Sequence, residues 1–197
     1  MLRDYTTLPT MFMQAGAGFA QPSQALPEQV RVDDPAVLVM TDLKSVSAVL
    51  IRPTDTIDEA LSRMKQRGVR LLLVADADRK VVGLITATDL LGEKPMQFAR
   101  QGGVRHEDIL VSDIMTPQAR LEVLNLDDVL NAKVGHVVAT LRKAGRQHAV
   151  VVEVDNNGRH TVRGLFSASQ IARQLGVAIQ TTEVARTFAE IEAMLAR

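Results

Sequence analysis

The fold of this chain follows from an eight-residue stretch, GLITATDL at residues 83–90, because a second copy lies at residues 164–171 as GLFSASQI. The copies align without a gap: glycine and leucine are identical, and a hydroxyl residue falls at the same two positions in each. A helix-ending glycine, an apolar run and an acidic residue also precede each copy, with the same spacing from the glycine to the acid: Gly68 to Asp76 and Gly145 to Glu153. A duplicated unit of this length predicts two small subdomains that face each other.

The first unit reads as strand, helix, strand, strand and helix. Thr56 and Glu59 predict a capping box at the start of the first helix, and Gly68 suits the left-handed residue that ends it. Residues 71–75 are too apolar for a half-exposed strand, which predicts a strand covered on both faces. The other predicted elements are strands at residues 48–51 and 81–85 and a helix that begins at Thr86 or Thr88.

The second unit has the same order of elements. A helical apolar stripe runs from Val134 to Leu141 and ends before Gly145, which matches Gly68 of the first unit. The sequence at 155–158, DNNG, predicts a tight turn between two strands. The predicted strands lie at residues 121–124, 149–154 and 162–166, and the two units are connected by short helices, one beginning near Pro95 and one at residues 106–115.

Composition excludes several classes of function. The 197 residues are 46% hydrophobic, have a formal net charge of zero and contain no cysteine. A general nucleic-acid binder usually has a basic excess, and a chain without thiols has neither thiol catalysis nor thiolate zinc sites. No apolar run approaches the roughly 20 residues that span a bilayer, and no signal-peptide core is present at the N-terminus. We therefore expect a cytoplasmic protein without a membrane or nucleic-acid partner.

The termini are predicted to lie outside the duplicated units. We expect an N-terminal extension at residues 1–41, a first repeat with its connecting helix at 42–103, a second repeat at 104–178 and a C-terminal helix at 179–197. That last helix is amphipathic, with Val184, Phe188, Ile191 and Leu195 on one face. Its apolar face needs a partner, which is either the rest of its own domain or a second copy of the chain.

The duplicated unit resembles the CBS domain, named after cystathionine β-synthase. The resemblance rests on the order of elements and on a closing pattern of glycine, two apolar residues, a hydroxyl residue, any residue, a second hydroxyl residue and an acid. Two such units in tandem look like a CBS pair, or Bateman module, over about residues 42–176, and the sequence DIMTP at 113–117 looks like the usual start of a unit. The implied fold class is α/β, with two β-α-β-β-α repeats packed with pseudo-twofold symmetry.

The resemblance implies a regulatory module that is not an enzyme. Clefts between CBS repeats commonly bind AMP, ADP, ATP, S-adenosylmethionine or cyclic dinucleotides. In the family the motif acid holds the ribose hydroxyls, the motif hydroxyls face the phosphate, and the adenine lies against the first strand of the opposite repeat. CBS pairs usually form homodimers and report ligand binding to a protein target.

The first cleft is the expected nucleotide site. Its carboxylate can accept two hydrogen bonds from a ribose diol, and hydroxyls at a helix N-terminus can bind phosphate. The same residues would also serve as a simple helix cap, so the pattern supports both interpretations. The predicted residues of this cleft are Thr86, Thr88 and Asp89 from the first motif, with Thr116, Leu121 and Arg146 from the other repeat.

The second cleft departs from the family pattern because Gln170 stands in place of the acid. An amide offers one acceptor oxygen and no charge, whereas Ser167 and Ser169 keep the phosphate side of the site. Val49, near Val69, is expected to form the opposite wall. We expect this cleft to bind more weakly, differently or not at all.

Basic residues beside the central strands are further candidates. Arg146 and its counterpart Arg70 can reach a phosphate, or can be solvated surface residues, and His148 can be a locally bonded strand-end residue. The histidines show no metal-ligand spacing, and no set of nucleophile, base and orienting acid is recognisable, so neither a metal nor a catalytic residue is predicted.

These patterns predict a homodimeric regulatory protein that binds an adenosyl ligand and signals to an unidentified protein target. The main alternative is a ligand-free scaffold or dimerisation protein that acts through its terminal segments. A nucleotide hydrolase would need an acid or metal site near the phosphate, and DNA binding is the weakest class because the net charge is zero.

Overall fold

The structure, a computed structural model, describes residues 24–177. The described strands are β1 (Thr41–Asp42), β2 (Leu50–Ile51), β3 (Leu71–Ala75), β4 (Val81–Thr86), β5 (Thr116–Pro117), β6 (Val123–Asn125), β7 (His148–Val154) and β8 (His160–Ser167). The described α-helices are α1 (Ile57–Arg67), α2 (Ala87–Leu91), α3 (Lys94–Gly102), α4 (Val111–Ile114), α5 (Leu126–Leu130), α6 (Val134–Lys143) and α7 (Ala168–Gln174). Short 3-10 helices lie at Ala36–Val39, His106–Asp108 and Gln118–Arg120.

The strands form two four-stranded sheets, ordered β2-β3-β4-β5 and β1-β8-β7-β6. Strand β5 precedes the second repeat but pairs with β4 of the first, with Thr116 opposite Leu84. Strand β1 precedes the first repeat but pairs with β8 of the second, with Thr41 opposite Leu165. Each sheet is therefore completed by the short strand that leads into the other repeat. The predicted α/β class with two β-α-β-β-α repeats is confirmed.

This exchange explains the repeated glycine of the motif. A Cβ on Gly83 would lie 2.6 Å from the carbonyl oxygen of Thr116, and a Cβ on Gly164 would lie 2.5 Å from the Sδ of Met40. Real Cβ atoms do not come this close to other heavy atoms. Strand β5 can approach β4 this closely only because Gly83 has no side chain, and the missing side chain of Gly164 leaves room for Met40.

Helix α1 has the boundaries that its sequence predicts. Thr56 is the N-cap, its hydroxyl accepts the Glu59 N–H, and the Glu59 carboxylate accepts the Thr56 N–H at 2.8 Å. Gly68 ends the helix in the left-handed region, with φ 64°. The capping box and the C-terminal glycine are thus confirmed.

Each repeat has its own helix-side core, and the two sheets bury their other faces. In β3, Leu72 and Val74 belong to the core of the first repeat, and β7 contributes Val151 to the core of the second. The alternate residues of both strands are also buried but belong to neither core: Leu71, Leu73, Ala75, Val150 and Val152. Since successive strand residues point to opposite faces, these side chains lie where the repeats face each other. All five residues of β3 are buried, as the sequence predicts.

Part of the expected N-terminal extension belongs to the second repeat. Val30, Ala36, Val39 and Met40 are buried in that repeat's core, and the Ala36 N–H donates to the Ala132 carbonyl at 2.9 Å. The segment therefore packs on the repeat that it does not precede. Residues 1–23 and the predicted C-terminal helix at 179–197 lie outside the described residues.

One connecting segment differs in detail from the prediction. Residues 106–115 form a 3-10 turn and the short helix α4 instead of one helix. The Ile57 N–H donates to the Ile109 carbonyl, and the Val111 N–H donates to the Asp55 carbonyl. These bonds hold the chain in an extended conformation at Leu110, φ −90° and ψ 157°, which interrupts the helix.

Candidate ligand-binding cleft

The first motif is bonded to itself. Thr86 is the N-cap of α2, and one carboxylate oxygen of Asp89 accepts its N–H at 2.9 Å and its hydroxyl at 2.7 Å. The other oxygen of Asp89 accepts a hydrogen bond from the Lys94 ammonium. Asp89 is only 9% exposed. Both oxygens that a ribose diol would need are therefore occupied by groups of the protein.

The second motif is not bonded in this way. Ser167 occupies the N-cap of α7, but its side chain caps no backbone N–H and instead lies 3.0 Å from the Ser169 hydroxyl. The Gln170 amide contacts the Gln174 amide at 3.5 Å. A reciprocal capping box needs an acceptor that reaches back to the N-cap, and Gln170 does not take that role here. The two hydroxyls of this motif therefore bond only to each other among the described residues, and a ligand could replace that bond.

A cavity of about 1040 Å³ lies beside this second motif, between the repeats. The first repeat contributes the turn that ends α1 and the start of β3, and the second contributes parts of β7, β8 and α7. The N-terminal segment forms a further wall. The lining residues are Leu26, Pro27, Glu28, Thr41, Gly68, Val69, Arg70, Leu71, His148, Leu165, Phe166, Ser167, Ser169, Gln170, Arg173, Gln174 and Val177.

Cationic side chains line this cavity without charged partners. Arg70 comes from the first repeat and Arg173 from α7 of the second, and neither forms an ion pair within residues 24–177. Glu28 is the only acidic residue among the described lining residues. The cavity therefore has an excess of positive charge, although the chain as a whole is neutral.

His148 lies at the start of β7, close to charged groups of the first repeat. Burial lowers its pKa to about 4, and the positive charge of Arg70 lowers this pKa further, whereas Asp89 acts in the opposite direction. The imidazole is consequently neutral at pH 7. A neutral imidazole has one donor and one acceptor, so it can bond a ligand's polar group without repelling Arg70.

The wall formed by the N-terminal segment is fixed by hydrogen bonds. The Gln174 side chain, 6% exposed, donates to the Pro27 carbonyl at 2.8 Å, and the Val30 N–H donates to the Gln174 carbonyl at 2.9 Å. Gln24 donates to the Met40 carbonyl at 2.9 Å and accepts the Asp42 N–H at 2.7 Å. This segment thus joins the cavity at α7 to the exchanged strand β1.

The structure distributes the remaining predicted residues over both repeats. Thr116 lies in β5 beside Leu84, Leu121 follows the 3-10 turn that contacts β4, and Thr88 is exposed on α2. Arg146 forms an ion pair with Glu122 at 3.0 Å.

The predicted members of the second cleft are only partly brought together. Val69, Ser167, Ser169 and Gln170 all line the cavity. Val49 does not contact it; it packs against the first repeat's core, and its carbonyl accepts the Leu73 N–H at 3.1 Å.

Sequence reasoning missed three parts of the cavity. Thr41 could have been found, since the pair Met40-Thr41 at the start of β1 repeats as Met115-Thr116 at the start of β5. Arg173 and the segment from Leu26 to Glu28 have no counterpart in the duplicated motif. Their place depends on packing between segments that are far apart in the sequence.

Residues 39–95 match the family model of the CBS domain. The second repeat has the same order of strands and helices and exchanges its leading strand with the first. The first repeat therefore matches the CBS domain, and the second repeat shares its topology. No curated protein is a significant match to it.

The chain is similar to several solved structures. An uncharacterised conserved protein from Pyrococcus horikoshii is 22% identical, with a TM-score of 0.54 over 78% of this chain and 100% of that chain. CBSX2, a CBS-pair protein from Arabidopsis thaliana crystallised in complex with AMP, is 20% identical, with a TM-score of 0.49 over 71% of this chain and 93% of that chain. The CBS pair of protein MJ0100, in complex with 5-methylthioadenosine and S-adenosyl-L-methionine, is 22% identical, with a TM-score of 0.47 over 70% and 97% of the chains.

Within residues 24–177, the structure contains no group of three or more histidine or acidic residues that could hold a metal ion. The same residues include no helix that is both long and apolar enough to cross a membrane.

Proposed function

We propose that this chain is a regulatory CBS-pair protein that binds an adenine nucleotide between its repeats and reports occupancy to a protein target. The observation that carries the proposal is the cavity of about 1040 Å³, lined by the guanidinium groups of Arg70 and Arg173, which form no ion pair among the described residues 24–177. Such a volume is large enough for a nucleotide. The ligand class is the one that the resemblance to CBS pairs implies.

The lining favours a ligand with phosphate. Guanidinium groups bind phosphate through two parallel hydrogen bonds, and the hydroxyls of Ser167 and Ser169 offer additional donors. Val69 supplies apolar surface for a base. AMP, ADP or ATP suits this set better than S-adenosylmethionine, since the positive sulfonium group of the latter would lie near two arginines.

Ribose recognition at Gln170 would differ from that of a carboxylate. Its amide can accept from one hydroxyl and donate to another, but it cannot accept from both with charged oxygens. We propose that the phosphate contacts supply most of the affinity in this cleft. The loss of the motif acid then changes the balance of contacts without abolishing binding.

We propose that the first cleft binds the ligand more weakly than the second. Its predicted residues are Thr86, Thr88, Asp89, Thr116, Leu121 and Arg146. A ligand there would have to displace Asp89 from Thr86 and Lys94, and Arg146 from Glu122. Each exchange replaces an existing charged contact, so the net gain is small. In this proposal the second cleft binds more tightly than the first, the reverse of the sequence-based expectation.

Assembly and signalling complete the proposal. We propose a cytoplasmic, non-catalytic homodimer whose ligand shifts it between two arrangements that a protein target distinguishes. A ligand shifts such an equilibrium only by its difference in affinity for the two states. Light scattering of the purified chain with and without AMP would measure both the oligomeric state and any change in it.

Isothermal titration calorimetry with AMP, ADP, ATP, adenosine and S-adenosylmethionine tests the ligand. Arg70→Gln combined with Arg173→Gln should weaken AMP binding by about 100-fold or more, since charged hydrogen bonds contribute roughly 1.5–3 kcal/mol each, and should leave adenosine binding unchanged. Arg159→Gln is the matched control, because that arginine is exposed in a turn and does not line the cavity. No heat and no thermal shift with any of the five compounds would favour the ligand-free scaffold instead.

A further inference from the structure

A second, smaller cavity lies at the other end of strand β3. The strand begins at Leu71, which lines the central cleft, and ends at Ala75, which lines this pocket of about 190 Å³. None of its described lining residues lines the central cleft. They are Leu50, Ile51, Arg52, Arg63, Ala75, Asp76 and Arg79.

Arg79 occupies a backbone conformation that the fold elsewhere gives to glycine. Its φ is 61°. Among the described residues it is the only one other than glycine with a positive φ. The matching turn of the second repeat has Gly158 there, with φ 74°. Asp76 and Asp155 start these turns with equivalent bonds, each N–H donating to a carbonyl four residues later at 3.0 Å. The turn geometry favours glycine at this position, so the turn itself does not account for an arginine there.

Arg52 and Arg63 are also specific to the first repeat. In the paired strands Ile51 faces Val74 and Leu124 faces Val151, so Arg52 corresponds to Asn125. Counting back from the helix-ending glycines, Arg63 corresponds to Thr140. All three cationic positions of the pocket are therefore uncharged in the second repeat. Because the same fold forms without these charges, folding does not require them.

The pocket holds these guanidinium groups close together. Asp55, whose side chain is 13% exposed, lies 3.5 Å from Arg52 Nε and 3.7 Å from Arg63 Nη2, which places one carboxylate between two arginines. Arg63 also donates to the Leu50 carbonyl at 2.7 Å. Arg79 forms no ion pair within residues 24–177.

The net charge of this pocket is positive. Asp76 is the other acid, and one of its oxygens already accepts the Lys80 N–H at 2.8 Å. The three arginines carry three positive charges, and Asp55 and Asp76 carry two negative charges. One positive charge is therefore left without a carboxylate. An oxyanion would balance it.

We propose that the pocket formed by Arg52, Arg63 and Arg79 binds the phosphate group of a small molecule, at a site separate from the central cleft. Planar guanidinium groups match the oxygens of a phosphate dianion. A volume of about 190 Å³ admits one phosphate and a few attached atoms but not a whole nucleotide. The proposal does not depend on nucleotide binding between the repeats.

The test uses the full chain carrying Arg70→Gln and Arg173→Gln, so that the central cleft contributes little phosphate binding. Inorganic phosphate and glycerol phosphate are titrated at low ionic strength and followed by calorimetry and phosphorus NMR. We expect one site per chain, weakened at least tenfold by Arg79→Gly and by Arg52→Gln. Arg159→Gln, which removes the same charge from the matching turn of the second repeat, should leave the affinity unchanged.

Two comparisons decide the result. Tighter binding of glycerol phosphate than of inorganic phosphate identifies a phosphate ester as the ligand class, and the reverse order identifies the free ion. Arg79→Gly should keep or raise the melting temperature, since glycine relieves the left-handed strain. Equal phosphate affinity in the Arg79→Gly and Arg159→Gln proteins, or no binding to the parent, would overturn the proposal whatever AMP does in the central cleft.

Discussion

The carboxylate of Asp89 accepts both the N–H and the hydroxyl of Thr86, at 2.9 and 2.7 Å, whereas the matching hydroxyl of Ser167 contacts Ser169 instead. Two copies of one motif thus do different things in the same molecule. In the first repeat the motif closes the start of a helix. In the second it lines a cavity, because the glutamine that replaces the acid does not bond back to the N-cap.

Asp89→Ala should reduce stability more than it reduces ligand binding. It removes a capping box and the ion pair with Lys94, and loss of a cap costs about 1–2 kcal/mol. Urea unfolding would measure the change, with Gln170→Ala as the matched control expected to change stability by less than about 0.5 kcal/mol. A loss of AMP affinity in Asp89→Ala larger than in Gln170→Ala would instead identify the first cleft as the main site.

The stability of the protein should fall at acidic pH in a way that depends on His148. Its pKa is about 4 when folded, below the ordinary value near 6.5, so the unfolded chain binds the extra proton between these values. The contribution is fully present above about pH 6.5 and is lost as the pH falls toward 4, with a total of about 3 kcal/mol.

Urea unfolding at several pH values, compared between the parent and His148→Gln, isolates this contribution from that of the carboxylates. The variant should have a flatter dependence between pH 6.5 and 4. Identical slopes would show that the imidazole is not buried beside Arg70. Bound AMP should raise the pKa of His148, which proton NMR would detect, because a phosphate offsets the charge of Arg70.

Replacing each of the two repeated glycines by alanine should lower the free energy of unfolding by a different amount. At Gly83 the new methyl group meets the Thr116 backbone, which cannot move aside without breaking the pairing of β5 with β4. At Gly164 it meets only the side chain of Met40, which is flexible. We expect the free energy of unfolding, measured by chemical denaturation, to fall by about 2–3 kcal/mol for Gly83→Ala and by about 1 kcal/mol for Gly164→Ala.

A double-mutant cycle checks the cause of the smaller loss. Gly164→Ala should cost less in a Met40→Ala background, because the truncated side chain leaves room for the new methyl group. If the two substitutions are additive, Met40 is not what requires glycine at this position.

Gln174→Ala should loosen the N-terminal wall of the cavity. The substitution removes the donor to the Pro27 carbonyl, a contact of about 1 kcal/mol. Limited proteolysis should then cleave residues 24–30 several-fold faster, and AMP affinity should fall about fivefold. Gln170→Ala, one turn earlier on the same helix, should leave the proteolysis rate unchanged; equal rates in the two variants would mean that Gln174 does not fix this wall.

Much of the architecture could be predicted because it depends on local chemistry. The capping box of Thr56 and Glu59, the left-handed Gly68 and the fully apolar β3 are each determined by residues within a few positions of one another. The duplication then predicted that two such units would face each other. The segment that connects the repeats was harder to predict. Hydrogen bonds with Ile57 and Asp55 interrupt the helix expected at residues 106–115, and both of these residues are distant in the sequence.

The candidate site was less predictable, since the same residue types serve a cap and a ligand. The sequence places Asp89 and Gln170 at equivalent positions but does not say which motif is satisfied by its own chain. That depends on Lys94 reaching Asp89, and on α7, the 68–71 turn and the N-terminal segment enclosing a common space.

The sequence alone determined the repeat, the order of its strands and helices, and the residues at each helix start, because these depend on contacts within a few residues. The tertiary structure decided which cleft is lined by Arg70 and Arg173, which strand completes which sheet, and where residues 24–40 pack. Those outcomes depend on contacts between segments far apart in the chain, and no local pattern of residue types encodes such distances.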